Sequence, residues 1–242
     1  MFIPKQNSHK GDNGKILIIA GSKKYSGAAM FSLKAAIPFV DLVYFYNPDK
    51  DPYLIQAVKT NIPEVIIVDK IKENVDAYLI GPGLDKNFID LEQLKNKKRV
   101  IDADAFKLGF YYDKLSLLTP NKHEFEELFY MEPNKENVMF AAKKFNTNIL
   151  LKGETDFLTN GNEIYENIMG NAGLTKGGTG DVLAGFLTAL IAKNDVFEAA
   201  KFGIDVFSKT ADQLFKDKYF YYTPSEIIQL LPYMVKQMIE FK

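Results

Sequence analysis

The sequence predicts an α/β protein whose central sheet is mostly parallel, with helices on both faces. Three observations carry that prediction. Short apolar runs recur between Ile16 and Leu151, each run is continuous rather than alternating, and helical patterns separate them. Strands buried on both faces read as unbroken apolar runs, and strands that alternate with helices pair in parallel.

Taken in order, residues 16–20 form a first strand ending at Gly21-Ser22, and residues 42–45 and 65–68 form two more. Residues 78–80 run into Gly81-Pro82-Gly83, residues 100–101 into Asp102-Ala103-Asp104, residues 116–118 into Thr119-Pro120-Asn121, and residues 149–151 into Lys152-Gly153. The pattern then changes. Asp156–Thr159, the Asn160-Gly161 turn and residues 163–167 read as a β-hairpin near residues 156–167, because Asn-Gly favours the tight left-handed turn. Residues 182–192 form a buried apolar helix, and residues 197–215 and 224–231 form further helices. With no repeat, low-complexity tract or linker, residues 1–242 are expected to form one domain. Ligands of open α/β sheets sit beyond the carboxyl ends of the strands, where these Gly, Asp and Asn residues gather.

Composition narrows the chemistry. The 242 residues contain no Cys and only two His, His9 and His123. This excludes disulfides, thiolate catalysis and Cys-type zinc sites, and argues against a multi-His metal centre. Thirty basic and 31 acidic residues give a net charge of −1, so no nucleic-acid partner is expected. Arg99 is the single Arg, so phosphate recognition falls to backbone amides, helix N-termini and Lys. No apolar run approaches the ~20 residues of a membrane helix. The start lacks the apolar core of a secretory signal, so a cytoplasmic location is expected and no membrane partner.

Residues 170–185 carry the chemistry. Gly177, Gly178, Thr179 and Gly180 precede Asp181 and an apolar helix. Glycines that lead into a helix expose N–H groups at the positive end of its dipole and form an anion hole. No Walker-type Lys-Ser/Thr pair follows, so this is not a P-loop. Asp181, in the first helical turn, is placed to accept a proton from a substrate hydroxyl while the amides hold a transferred phosphoryl group.

Gly-Gly-Thr-Gly-Asp before an apolar helix resembles the ribokinase-like, carbohydrate-kinase-related superfamily. Ser8-His9-Lys10-Gly11, Ala20-Gly21-Ser22, Gly27-Ala28-Ala29, Gly81-Pro82-Gly83-Leu84, Asp102-Ala103-Asp104-Ala105, Leu118-Thr119-Pro120, Leu151-Lys152-Gly153 and Gly170-Asn171-Ala172-Gly173 resemble the ADP-dependent NAD(P)H-hydrate dehydratases, in that family's order from residue 8 to about residue 215. The resemblance implies repair of hydrated NADH and NADPH with ADP or ATP as phosphoryl donor and Mg²⁺ as cofactor, releasing AMP and phosphate when ADP is used. It implies Asp181 as the catalytic residue and Lys152, Gly153, Glu154, Thr155, Asp156 and Gly180 as nucleotide contacts. Ala28, Gly83, Asn121 and Asp181 would contact the hydrate, Asp104 and Asn171 would line the same crevice, and Glu124 would organise the metal through water. A homo-oligomer, a tetramer by analogy, is also implied.

Two positions depart from the family pattern. Asn121-Lys122-His123-Glu124 stands where the dehydratases usually carry His-Pro-Gly-Glu, so Asn121 replaces a substrate-contacting His. Ser208 stands where the late helix often has His. Thr-Pro-Asn-x-x-Glu also resembles the vitamin and sugar kinases of the same superfamily. The alternatives are therefore an ATP-dependent kinase of a hydroxymethylpyrimidine or thiazole alcohol, or a nucleotide-binding module without catalysis.

Overall fold

The computed structural model describes residues 1–85, 89–108 and 112–240. Seven parallel strands come first: β1 (Lys15–Ile19), β2 (Leu42–Tyr46), β3 (Val65–Ile67), β4 (Ala77–Ile80), β5 (Lys98–Ile101), β6 (Ser116–Leu118) and β7 (Asn148–Leu151). The antiparallel hairpin of β8 (Asp156–Thr159) and β9 (Ile164–Asn167) extends the sheet beyond β7. The order across the nine strands is β3-β2-β1-β4-β5-β6-β7-β8-β9.

The continuous apolar runs have the expected cause. In β1, Ile16 and Ile18 face one core, while Leu17 and Ile19 face the other. Successive strand side chains alternate between faces, so burying both faces requires every position to be apolar. The first core is covered by α1 (Ser26–Ala36), α2 (Pro52–Asn61), α5 (Thr179–Lys193), α6 (Val196–Lys218) and α7 (Pro224–Glu240). The second lies under α3 (Lys122–Phe129) and α4 (Lys135–Phe145). Helix α5 is buried at every position from Val182 to Ala192. It lies so close to α1 that a Cβ on Gly185 would stand 2.2 Å from the Ser32 carbonyl oxygen.

The chain runs outward from β1 to β3 and then crosses back to β4 on the other side of β1. That reversal makes the carboxyl ends of β1 and β4 the topological switch point, where open α/β sheets bind their ligands. Gly21 N–H donates to Pro82 O (2.8 Å) and Gly81 N–H to Ile19 O (3.2 Å), lacing the two loops. Buried Asn47, just after β2, supports them from the side. Its amide donates to Ala20 O (3.2 Å) and Gly21 O (2.8 Å), and its oxygen accepts from Asp51 N–H (2.8 Å). Asn47→Ala strands these groups without partners, and is expected to destabilise the fold by about 2 kcal/mol in urea unfolding. An unchanged unfolding midpoint would show that the loops do not depend on it.

Arg99 sits near the amino-terminal end of β5, at the opposite end of the strands from these loops. It is fully buried, pairs with Asp113 (3.3 Å) and donates to the carbonyls of Leu94 and Lys97. The single guanidinium is thus engaged inside the fold, away from the carboxyl ends of the strands.

Candidate active site

Three parallel strands deliver polar side chains to one point. Strand β5 leads into Asp102, β6 into Thr119-Pro120-Asn121, and β7 into Lys152. Lys152 N–H donates to Pro120 O (2.8 Å), and Asn121 pairs with Lys152 as one further parallel rung. Asp102 is almost fully buried, and its Oδ1 accepts from the Thr119 hydroxyl (2.7 Å) and from Lys152 Nζ (3.0 Å). Burial pulls the Lys152 ammonium down, but the charges of Asp102, Glu124 and Asp181 outweigh it and hold the group above its ordinary range.

The glycine turn supplies the other half of the site. Gly178, at φ +99°, is the N-cap of α5, and a Cβ there would stand 2.6 Å from the Phe31 ring. One residue does not behave as expected. Thr179 N–H donates to Lys176 O (3.2 Å), and its hydroxyl lies 2.6 Å from Leu174 O and 2.8 Å from Lys176 O. Thr179 therefore closes the turn from inside and contributes no donor to the anion hole. Among the described residues, the N–H groups of Gly177, Gly178, Gly180 and Asp181 have no protein acceptor. Lys152 Nζ stands 3.7 Å from where a Cβ on Gly180 would lie, so the ammonium sits against this amide cluster.

Asp181 is the third residue of α5, half-buried, and its carbonyl accepts from the Ser32 hydroxyl of α1 (3.0 Å). Its carboxyl is pushed up to about 7, first by burial and then by the charge of Asp102, with Lys152 opposing. A carboxylate that titrates near neutrality is matched to taking up a proton at physiological pH. The adjacent unpartnered amides and ammonium are placed to receive developing negative charge.

Beside this point opens a cleft of about 880 Å³, within the usual range for ligand sites. Lys152, Gly153, Glu154, Asp156 and Gly180 line it, together with apolar Leu183, Ile204 and Phe207. Thr155 does not form part of the wall. Asp156 accepts from Gly153 N–H (3.0 Å) and from Asn167 Nδ2 (3.1 Å), and Asn167 also donates to Ser208 Oγ (2.7 Å). Ser208 thus braces the cleft from α6, and burial raises the Asp156 carboxyl.

Asn171 also stands in the wall, but its side chain is engaged on all sides. Its oxygen accepts from Gly173 N–H (3.0 Å) and Tyr222 OH (2.7 Å), and its Nδ2 donates to Asp212 (3.1 Å). It anchors the loop to α6 and to the segment before α7. Asn121 is likewise a capping residue first. Its oxygen accepts from Glu124 N–H (2.9 Å) while Glu124 Oε2 accepts from Asn121 N–H (2.8 Å), a reciprocal capping box. The Asn121 side-chain nitrogen has no protein partner among the described residues, and the residue lines the cleft.

Gly83 and Ala28 meet beyond the carboxyl ends of β1 and β4. A Cβ on Gly83, at φ +65°, would lie 3.0 Å from Ala28 Cβ and 2.6 Å from Tyr25 O. Asp104 departs from the expected shared crevice. Its carboxylate accepts from Asp85 N–H (3.1 Å) and Lys107 (3.3 Å), and it lines a separate pocket of about 310 Å³ with Glu124. Glu124 is raised chiefly by burial, against the opposing pull of Lys152. Both histidines lie outside the site. His9 is exposed with its N–H on Asp12, and His123 is exposed beside Glu127. Asp102 and Thr119, at the centre of the site, stand inside motifs of the resemblance that assign them no role. Their signal was position, since each directly follows an apolar strand.

The sheet order, the α5 turn and the cleft define a ribokinase-like fold. The architecture superposes on a ribokinase-like superfamily protein of Enterococcus faecalis with a TM-score of 0.85, at 26% identity over 97% of this chain and 91% of the other. Within that class, the chain belongs to the NAD(P)H-hydrate dehydratase family, whose sequence profile matches residues 16–233. It is 38% identical to a bifunctional NAD(P)H-hydrate repair enzyme Nnr of Methanocaldococcus jannaschii, covering 95% of this chain and 50% of that protein. It is 33% identical to an ADP-dependent (S)-NAD(P)H-hydrate dehydratase of Nitrosopumilus maritimus, covering 80% of this chain and 78% of that one. The chain spans about half the length of the bifunctional relatives it matches.

Proposed function

We propose that this chain is an ADP-dependent dehydratase that returns hydrated NADH and NADPH to NAD(P)H, with release of AMP and phosphate. One observation carries the reading: a carboxylate titrating at about 7, Asp181, stands beside unpartnered amides and an ammonium at the mouth of a nucleotide-sized cleft. Family membership and the ADP-dependent relative support the substrate and the donor.

In this mechanism, the nucleotide occupies the cleft with its terminal phosphate at the amides of Gly177, Gly178 and Gly180. The nicotinamide hydrate reaches Asp181 from the side of Ala28 and Gly83. Asp181 accepts the proton of the ring hydroxyl as its oxygen attacks the terminal phosphorus of ADP, and the bond to AMP breaks. Hydroxide, a poor leaving group, has thereby become a phosphate ester. Phosphate then departs with loss of a neighbouring ring proton, restoring the ring double bond. The overall change is hydrated NAD(P)H plus ADP to NAD(P)H, AMP and phosphate.

Among the described residues, no three carboxylate or imidazole groups converge to hold a metal. Mg²⁺ keeps several waters and binds chiefly through substrate phosphates with one or two carboxylates, and Glu124 fits that lesser part. One of its oxygens belongs to the capping box, and the other has no protein partner among the described residues. When bound, Mg²⁺ supplies charge neutralisation on the phosphates. Self-association and a cytoplasmic location belong to the same proposal. No described helix is long and apolar enough to cross a membrane.

The test is direct. With hydrated NADH, Mg²⁺ and ADP, the near-ultraviolet absorbance of the reduced nicotinamide should return, and AMP should appear in equal amount. ATP in place of ADP tests the donor. No recovery with either nucleotide would overturn the reading. Phosphorylation of a vitamin alcohol would then favour the kinase suggested by Asn121 and Glu124. Nucleotide binding alone would favour a non-catalytic module.

A further inference from the structure

The least explained group in the site is Asp102. Three strand ends converge on a single one of its oxygens: its own, at the end of β5; that of Thr119 after β6; and that of Lys152 after β7. The backbone is built tightly around it. Asp102 N–H donates to Ile80 O (3.0 Å), its carbonyl oxygen stands 1.7 Å from where a Cβ on Gly81 would be, and Ala103 follows at φ +50°. A non-glycine residue in the left-handed region costs about 1 kcal/mol or more, and such strain gathers at functional sites. Stability alone does not account for the arrangement, because a buried ion pair is often no better than apolar residues of the same volume. What the pair does achieve is placement. The long Lys152 side chain is held with its ammonium against Gly180 rather than in the solvent of the cleft.

We propose that Asp102 is the positioning residue of this site. It fixes the Lys152 ammonium at the N-terminus of α5, where the transferred phosphoryl group is received, and it provides the negative charge against which Asp181 acts as base. The inference rests on the phosphoryl-transfer reading given above. Asp102 touches neither substrate in that reading and acts through Lys152 and Asp181. The charged groups around Asp181 are Asp102 and Lys152. Lys152 in turn faces Asp102, Glu124 and Asp181. Removing the Asp102 charge therefore acts on Asp181 in one direction by two routes. A like charge is lost, and Lys152 is released toward the remaining carboxylates. Asp181 then becomes a weaker base.

The experiment is Asp102→Asn, which keeps the shape and an oxygen for Thr119 and Lys152 but removes the charge. The plateau kcat should fall about tenfold or more, in keeping with a weakened base, while KM for ADP changes less than about threefold. The acidic limb of kcat against pH should move to lower pH. A merely structural Asp102 would lower the melting temperature and leave that limb in place, and this result would overturn the proposal. If Asp102→Asn does not fold, Thr119→Val provides the second arm. It should remain folded and lose kcat about three- to tenfold, and unchanged kcat would also overturn the proposal. If the wild-type protein shows no turnover with ADP or ATP, it is the functional reading that fails. The positioning role is then read from the Asp181 titration in ¹³C-aspartate-labelled protein without substrate. A titration lower in Asp102→Asn than in wild type supports the role, and an unchanged titration overturns it.

Discussion

Asp181→Asn is expected to reduce turnover of hydrated NADH by about 10³-fold or more while ADP binding changes little. A positioned general base contributes about 10²–10⁴ in rate. In the proposed mechanism the same side chain also stands in the first turn of α5, next to the amides assigned to the transferred group, so removing its charge is expected to affect both proton transfer and alignment. Nucleotide affinity is spared because the cleft is built from the segment around Lys152 and Asp156 and from apolar residues of α5 and α6. Isothermal titration with ADP and steady-state kinetics on the same preparation check both halves. Residual turnover above about a tenth of wild type would remove Asp181 from its role.

The wild-type enzyme should also show a rate that rises with pH through an acidic limb near 7, since the base works only when deprotonated. The effect on stability has the opposite sign. Folding raises this carboxyl to about 7 from the ordinary value near 4. The folded state therefore holds the proton more tightly, and the stability this provides is lost as pH rises from about 4 through about 7. Asn carries no such liability. Asp181→Asn should thus be more stable than wild type at pH 8, with the advantage shrinking as pH falls toward 4. A variant both less active and more stable identifies a residue placed for chemistry at the expense of folding. A variant less stable than wild type at pH 8 would point to a structural carboxylate instead.

Much of this site was legible along the chain, and what was not has physical reasons. The strands were readable because residues 16–19 of β1 and 77–80 of β4 are buried on both faces and form unbroken apolar runs. The α5 turn was readable because glycines, an acidic residue and an apolar helix follow one another within a few residues. The network of Asp102, Thr119 and Lys152 was not, since its members lie 17 and 50 residues apart and meet only because β5, β6 and β7 are neighbours in the sheet. Thr179 shows a different limit. Whether an amide in a glycine turn faces outward or bonds the preceding carbonyl is a matter of local dihedrals, which residue types alone do not specify. Asn121 carries two signals at once. Asn-x-x-Glu ahead of a helix is a capping box before it is a ligand contact, and both side chains are joined in that way.

Gly81→Ala should be the most damaging single methyl addition in the molecule's β4 to β5 region, reducing stability by more than about 3 kcal/mol. Two independent causes act together. Gly81 has φ +129°, a region closed to residues with a Cβ, and the added carbon would lie 1.7 Å from Asp102 O, 2.7 Å from Asp102 C and 3.0 Å from Ala105 Cβ. None of these can move cheaply. Asp102 is a backbone neighbour held by its own N–H to Ile80 O, and Gly81 is held by its N–H to Ile19 O. Relief by displacement would carry Asp102 away from Lys152, so any folded fraction should also lose activity. Gly177→Ala is the control for stability. Its Cβ would meet nothing within 4 Å and its φ is not in the left-handed region, so its unfolding midpoint should stay close to wild type even though its N–H belongs to the amide cluster. Equal midpoints for Gly81→Ala and Gly177→Ala in urea would refute the steric argument. A large loss confined to Gly81→Ala would show that the closeness of β4's exit to Asp102 is what constructs this end of the site.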